Sequence, residues 1–216
     1  MNFSSMYSEM VPEIRFGFDY PKAISMLQYL LREVGGRYNY MSLLKLAFFA
    51  DRFHIRKHAR PISMDKYYAF KFGPAGSQLK DIIKQPDIFI DPPTQFNVEG
   101  YNILLLNNDI NMGDFSKSDI VALTFSLEHF APIGKRDEFT LSEISHAYPE
   151  WDQYATLFNS KQTSRQDIAY EDFLCDPLDD HPIFIRFRKI FQNPFPKMQP
   201  EQKAELIEEM REYSAP

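Results

Sequence analysis

The residues best suited to chemistry lie close together in the stretch FFADRFHIRKHARP, residues 48–61. On a helix, Asp51, His54 and His58 fall at i, i+3 and i+7 and share one face. A carboxylate and two imidazoles form a ligand set for zinc or iron. The spacing from His54 to His58 imitates the helix of a zinc protease. That chemistry needs a glutamate directly after the first histidine as general base, and Ile55 stands there. Arg56 and Lys57 add positive charge where a bound cation needs the opposite. The structural reading is stronger. A carboxylate in the middle of an apolar helix face must be hydrogen-bonded, because burying it unpaired is costly. Tyr67, Tyr68, His54 or a backbone N–H are the partners on offer. No metal and no cofactor is expected.

Covalent catalysis fares no better. The single cysteine, Cys175, lies in DFLCDP, where flanking acids raise a thiol pKa. There is no G-x-S-x-G, no P-loop and no G-x-G-x-x-G. Eight glycines in 216 residues leave little material for phosphate-cradling loops. No enzyme is expected, and no residue is assigned a catalytic role.

Composition bounds the rest. Hydrophobic residues make up 44% and charged residues 25% of the chain, the balance of a globular protein. Twenty Phe and twelve Tyr point to a core dominated by aromatic burial. A net charge of -6 argues against a general nucleic-acid binder, which needs a basic face. The start, MNFSSMYSEMVPEIRF, lacks a basic segment followed by an apolar run, so no signal peptide is expected. No stretch approaches about 20 consecutive apolar residues, so no membrane span is expected and a cytoplasmic location follows.

The elements that must position these residues read as follows. Residues 1–19 have no clear period. Pro21 opens a helix whose Ala23, Leu27, Leu30 and Leu31 recur at helical spacing, and Gly35-Gly36 stop it. Asn39 caps a second helix running to about His58, apolar almost all round and hence central. A stretch from Pro61 to Phe72 is extended, closed by Gly73-Pro74 as a turn. Ser77 to Lys84 forms a short helix. Gln95 to Val98 and Tyr101 to Leu106 form a β-hairpin about Glu99-Gly100. Ser116 caps another helix, which Pro132 and Gly134 are expected to break. Thr140 and Glu143 read as a capping box, with Phe139 and Ile144 as its hydrophobic staple, and Pro149 as the end of that short helix. Six of the fifteen prolines lie from Pro177 to Pro216, so an irregular wrap is expected there, followed by a charged helix from Pro200 to Arg211.

Two separated motifs carry a family resemblance. The run LLKLAFFADRFHIRKHARPISMDKYYAFKFGP supplies Lys45, Leu46, Phe49, Ala50, Asp51, His54, Arg60, Pro61, Ile62, Tyr68, Ala69, Gly73 and Pro74. Ser145-His146 followed by Trp151, the only tryptophan, supplies the second. Together they resemble the Panacea domain family of SocA-like antitoxins and phage-associated proteins. The chain departs at Ala59, where that family often has glycine. The resemblance implies a mainly α fold with a small β component over residues 20–155. An N-terminal arm (1–19) would precede it, and a C-terminal extension (156–216) would pack on it. It also implies a non-enzymatic antitoxin that binds a cognate toxin from a neighbouring gene, in some members presenting it to a protease. Asp51, His54, Tyr68, Gly73, Pro74, His146 and Trp151 would carry the shared scaffold and support a partner surface. His146 and Trp151 read as a packed corner, ring nitrogens satisfied by backbone, or else as the shapers of a partner groove. Partner choice would come from the arm and the aromatic tail. The alternative is a phage-associated DNA-binding regulator of winged-helix type. Against it, the hairpin wing about Glu99-Gly100 carries almost no basic residue, and the best basic run is Arg186, Arg188 and Lys189. Nucleic acid is not the expected partner.

Overall fold

The computed structural model describes residues 13–85 and 92–214. Most of the expected arm, residues 1–12, lies outside them. The fold is mainly α, with two small antiparallel sheets.

Helix α1 (Tyr20–Glu33) begins at Asp19, whose side chain accepts from the Lys22 N–H, with Pro21 in the first turn. It ends at Gly35 and Gly36, whose φ of +98° and +80° suit only glycine. They turn the chain into β1 (Arg37–Asn39). Helix α2 (Tyr40–His58) is capped by Asn39, which accepts from the Met41 and Ser42 N–H groups. Its centre is buried on every side, Lys45 and Arg52 included. It stops at Ala59, held left-handed at φ +54°. That is the helix C-terminal position at which glycine is favoured, and the position where the resembled family often has glycine.

Strand β2 (Tyr67–Phe70) pairs with β3 (Gly73–Gly76) in a tight hairpin turned by Lys71 and Phe72. Gly73-Pro74 therefore opens a strand and is not the turn expected from the sequence. Gly73 still supplies the positive φ, +91°. Helix α3 (Ser77–Lys84) follows. After α4 (Pro92–Gln95), the expected hairpin forms from β4 (Phe96–Glu99) and β5 (Asn102–Leu105). It is completed by β1 in the order β1-β5-β4.

Helix α5 (Lys117–Arg136) starts with a capping box between Ser116 and Asp119 and packs along α2 more extensively than any other element. Phe49 and Phe130 stack across that interface at 3.6 Å, planes 4° apart. Pro132 and Gly134 do not break α5. The last turn is held from outside: Tyr38 Oη donates to the Ala131 carbonyl and Ser42 Oγ to that of Gly134. Gly134 is there for close approach, since a Cβ would lie 2.6 Å from Tyr38 Oη.

Helix α6 (Glu138–Ser145) is capped by Asp137, not Thr140. Asp137 accepts from the Phe139 and Thr140 N–H groups and from the Thr140 hydroxyl. Aspartate is a strong N-cap and stands three residues earlier, so it captures the helix start. The staple fails with it, because Phe139 is exposed while Ile144 is buried. Pro149 ends nothing; it opens α7 (Pro149–Asp152), which α8 (Ala155–Asn159) follows. Strand β6 (Arg165–Asp167) then adds to β2, giving the sheet order β3-β2-β6. The chain wraps back through a 3-10 turn at Tyr170–Leu174, α9 (Pro182–Phe187) and α10 (Pro200–Tyr213). Most of α10 is exposed; only Leu206 and Met210 are buried.

Candidate partner-binding site

The residues singled out in the sequence divide between two places. The first is the interior around Asp51. Its Oδ1 accepts from the Ile62 N–H at 2.6 Å; its Oδ2 accepts from Ser63 Oγ at 2.5 Å and Tyr67 Oη at 2.7 Å. Asp51 thus ties α2 to the segment leading into β2. Burial pushes its pKa up against these hydrogen bonds. Of the partners expected for it, Tyr67 and backbone serve and Tyr68 does not. Tyr68 is half-buried on the other face of β2, under the Lys66 and Arg165 cations.

His54 is used elsewhere. Its Nδ1 lies 2.7 Å from the Arg60 carbonyl, and its Nε2 3.0 Å from Ser118 Oγ and 3.1 Å from Asp119 Oδ1. Asp119 Oδ2 is 2.7 Å from Lys22 Nζ. One carboxylate thereby joins α1, α2 and α5. Burial opposes the charge on Asp119, but the His54 and Lys22 contacts outweigh it and hold its pKa well below the usual range. His58 is exposed and only packs its ring on His54, 4.7 Å between centroids. Among the described residues, no three His, Cys, Asp or Glu side chains are grouped to hold a metal ion. Cys175 is an exposed free thiol whose pKa is raised, chiefly by partial burial.

Gly73, Pro74, His146 and Trp151 converge at the second place. Trp151 Nε1 donates to the Phe70 carbonyl at 2.8 Å, as expected of a packed corner. The His146 ring stacks on Trp151, but its buried Nε2 has no hydrogen-bond partner, contrary to expectation. Burial, then the Lys45 charge, lowers its pKa to about 3. Gly73 lies over Lys45 and Ser145 so closely that a Cβ would sit 2.7 Å from Lys45 Nζ and 2.3 Å from Ser145 Oγ.

Gly73 and Phe70, which His146 and Trp151 contact from behind, line a surface cleft of about 380 Å³ between α2, the β2–β3 hairpin, α3 and the start of β6. Lys45, 2% exposed, reaches it from α2. Lys71, Lys80, Lys84 and Arg165 stand around it, and among the described residues no acidic side chain lines it. The cleft runs on, through Tyr40, Met41 and Phe72, into an adjoining hollow of about 330 Å³ beside Tyr101 and Phe139. Phe72, Tyr101 and Phe139 are 48%, 73% and 58% exposed. The sequence reading missed this surface and expected aromatic anchors in the tail instead. The tail aromatics Phe173, Phe191 and Phe195 are in the core. Arg52 and Arg56 bind the tail from α2: Arg52 donates to the Phe173 and Cys175 carbonyls and pairs with Glu150, and Arg56 donates to the Pro196 carbonyl and pairs with Asp176.

The domain is mainly helical and carries an exposed aromatic and cationic face. Residues 43–152 match the family described as antitoxin SocA-like, Panacea domain, and the chain belongs to it. That span contains both motifs read from the sequence, from Lys45 to Trp151. Comparisons with curated proteins and with solved structures find no match. No helix among the described residues is long and apolar enough to cross a membrane.

Proposed function

We propose that this chain is a non-enzymatic antitoxin that neutralises a partner toxin by direct protein contact. Family membership over residues 43–152 is the observation that carries this reading. The continuous face from Arg165 to Phe139 supports it, since aromatic anchors beside cationic side chains are the usual composition of energetic centres in protein interfaces. Residues 20–155 would be the shared body, 1–19 an arm, and 156–216 an extension that Arg52 and Arg56 hold in place. The seven signature residues, Asp51, His54, Tyr68, Gly73, Pro74, His146 and Trp151, act as scaffold; His146 and Trp151 back the cleft floor. Delivery of the bound toxin to a protease, the adaptor role of some SocA-like proteins, is the finer form of this reading. The cytoplasm is the compartment where such a pair would meet.

The test is to express the neighbouring open reading frame with and without this chain. Growth arrest by the neighbour alone, relieved on co-expression, is the expected result. A harmless neighbour, together with a salt-sensitive shift of the chain's own upstream DNA, would favour the regulator reading instead.

A further inference from the structure

Lys45 is the most unusual cation in the molecule. It sits on α2, 2% exposed, and its Nζ donates to the Pro74 carbonyl at 2.7 Å. An ammonium group has three N–H donors, and no carboxylate pairs with Lys45 among the described residues. A buried lysine without an ion-pair partner is costly; burial drives its pKa well below the ordinary lysine value. Among the described residues the other three buried Lys and Arg side chains are all paired: Arg52 with Glu150, Arg56 with Asp176 and Lys22 with Asp119. Arg56 also reaches a smaller hollow but is paired; of these four, Lys45 is the one that lines a cleft without an ion-pair partner among the described residues.

The surroundings of that cleft match. Lys71, Lys84 and Arg165 have no ion pair among the described residues, and Lys80 pairs only with its neighbour Asp81. Lys71, Lys80 and Arg165 each lie over an aromatic ring, Phe72, Phe70 and Tyr68 respectively, at 5.1–5.4 Å. This concentration of positive charge sits on a chain of net charge -6, so it is local and directional. The adjoining hollow presents Phe72, Tyr101 and Phe139, together with Asn39 and one carboxylate, Glu138.

Resting on the reading that this chain binds a protein partner, we propose that the cleft receives an acidic, extended segment of that partner. One carboxylate would enter to Lys45 Nζ, further acidic side chains would meet Lys71, Lys84 and Arg165, and an apolar side chain would lie on Phe72 and Phe139. The carboxylate would give Lys45 the partner it lacks, and the surrounding cations would steer the segment in. Nucleic acid fits less well. A duplex phosphate cannot reach a side chain at the floor of so small a cleft, and the net charge of the chain repels a long polyanion.

The test uses the full chain and three fluorescent probes: an alternating Glu-Phe peptide, the same peptide with Gln for Glu, and single-stranded oligothymidylate. The Glu-Phe peptide should bind best, with affinity falling as salt rises. It should weaken by roughly tenfold or more in the triple variant Lys71→Glu, Lys84→Glu, Arg165→Glu, whose positions are all exposed. Lys45→Met should weaken it as well. Equal binding of the Glu and Gln peptides, indifference to the triple variant, or a preference for oligothymidylate would overturn the proposal. Co-purification with the neighbouring gene product separates the two readings. If the triple variant retains that product as well as the unaltered chain does, this proposal fails and the antitoxin reading survives. If the unaltered chain never retains it, the antitoxin reading fails while the peptide result still decides the chemistry of the cleft.

Discussion

His146 and Trp151 stack face to face, ring centroids 3.7 Å apart and planes 6° from parallel, directly behind the cleft that Lys45 enters. The stack makes His146 a probe of the folded state. A free histidine titrates near 6.5, and this one at about 3, lowered first by burial and then by Lys45. Between those values the unfolded chain binds a proton that the folded chain does not. The residue therefore costs stability as pH falls below 6.5 and costs nothing above it. At pH 5 the cost is about 2 kcal/mol. His146→Phe keeps an aromatic ring on Trp151 and removes the titration. Urea unfolding at pH 8 and pH 5 should show the variant gaining on the unaltered chain at pH 5 by about that amount. An identical pH dependence of the two proteins would contradict the assignment.

Gly73→Ala should be poorly tolerated. The position has φ +91°, and the new methyl would meet Ser145 Oγ and Lys45 Nζ at impossible distances. Backbone strain and overpacking together cost about 2 kcal/mol or more. Thermal unfolding checks this. A variant as stable as the parent would mean that the cleft floor is looser than described.

Ala59→Gly should do the opposite. Ala59 ends α2 in the left-handed region at φ +54°, where a Cβ is penalised by roughly 1–2 kcal/mol and glycine is not. After the entropy that glycine loses on folding, a net gain of some tenths to about 1 kcal/mol is expected in chemical denaturation. A loss of stability would show that the Ala59 methyl, fully buried here, matters more as packing than as strain.

Asp51→Ala removes the acceptor for Ile62 N–H, Ser63 and Tyr67 at once. Stranding buried donors costs about 1–3 kcal/mol each at most, so destabilisation of about 3 kcal/mol is expected. Elemental analysis before and after the substitution should show no stoichiometric zinc or iron to lose. A metal released by the variant would restore the ligand reading of Asp51, His54 and His58.

What could be read ahead of the structure was local. Asn39 and Ser116 cap helices because a side-chain oxygen beside the first turn meets its free N–H groups whatever the rest of the chain does. The all-round apolar face of α2 made it central, and its interior carboxylate had to find donors nearby in sequence. The misreadings are also local in origin. Thr140 lost the cap to Asp137, a competitor three residues away. Pro132 stays helical because Tyr38 and Ser42, some ninety residues earlier, hold the turn around it. The cleft was not legible at all. Lys45, Lys71 and Arg165 meet only after the β2–β3 hairpin folds back on α2 and β6 returns from beyond α8. No period or spacing encodes that meeting. The sequence places partner-binding aromatics in the tail, yet Phe173, Phe191 and Phe195 are buried there while Tyr213 is exposed; Arg52 and Arg56, reaching from α2 to the backbone carbonyls of the tail, hold it on the core.

The most direct measurement is calorimetric titration of the purified product of the neighbouring gene with the full chain. The account predicts a saturable complex, weakened by added salt, in which the toxin loses its activity. Heat of binding no greater than dilution, with the toxin fully active in excess of this chain, would contradict it.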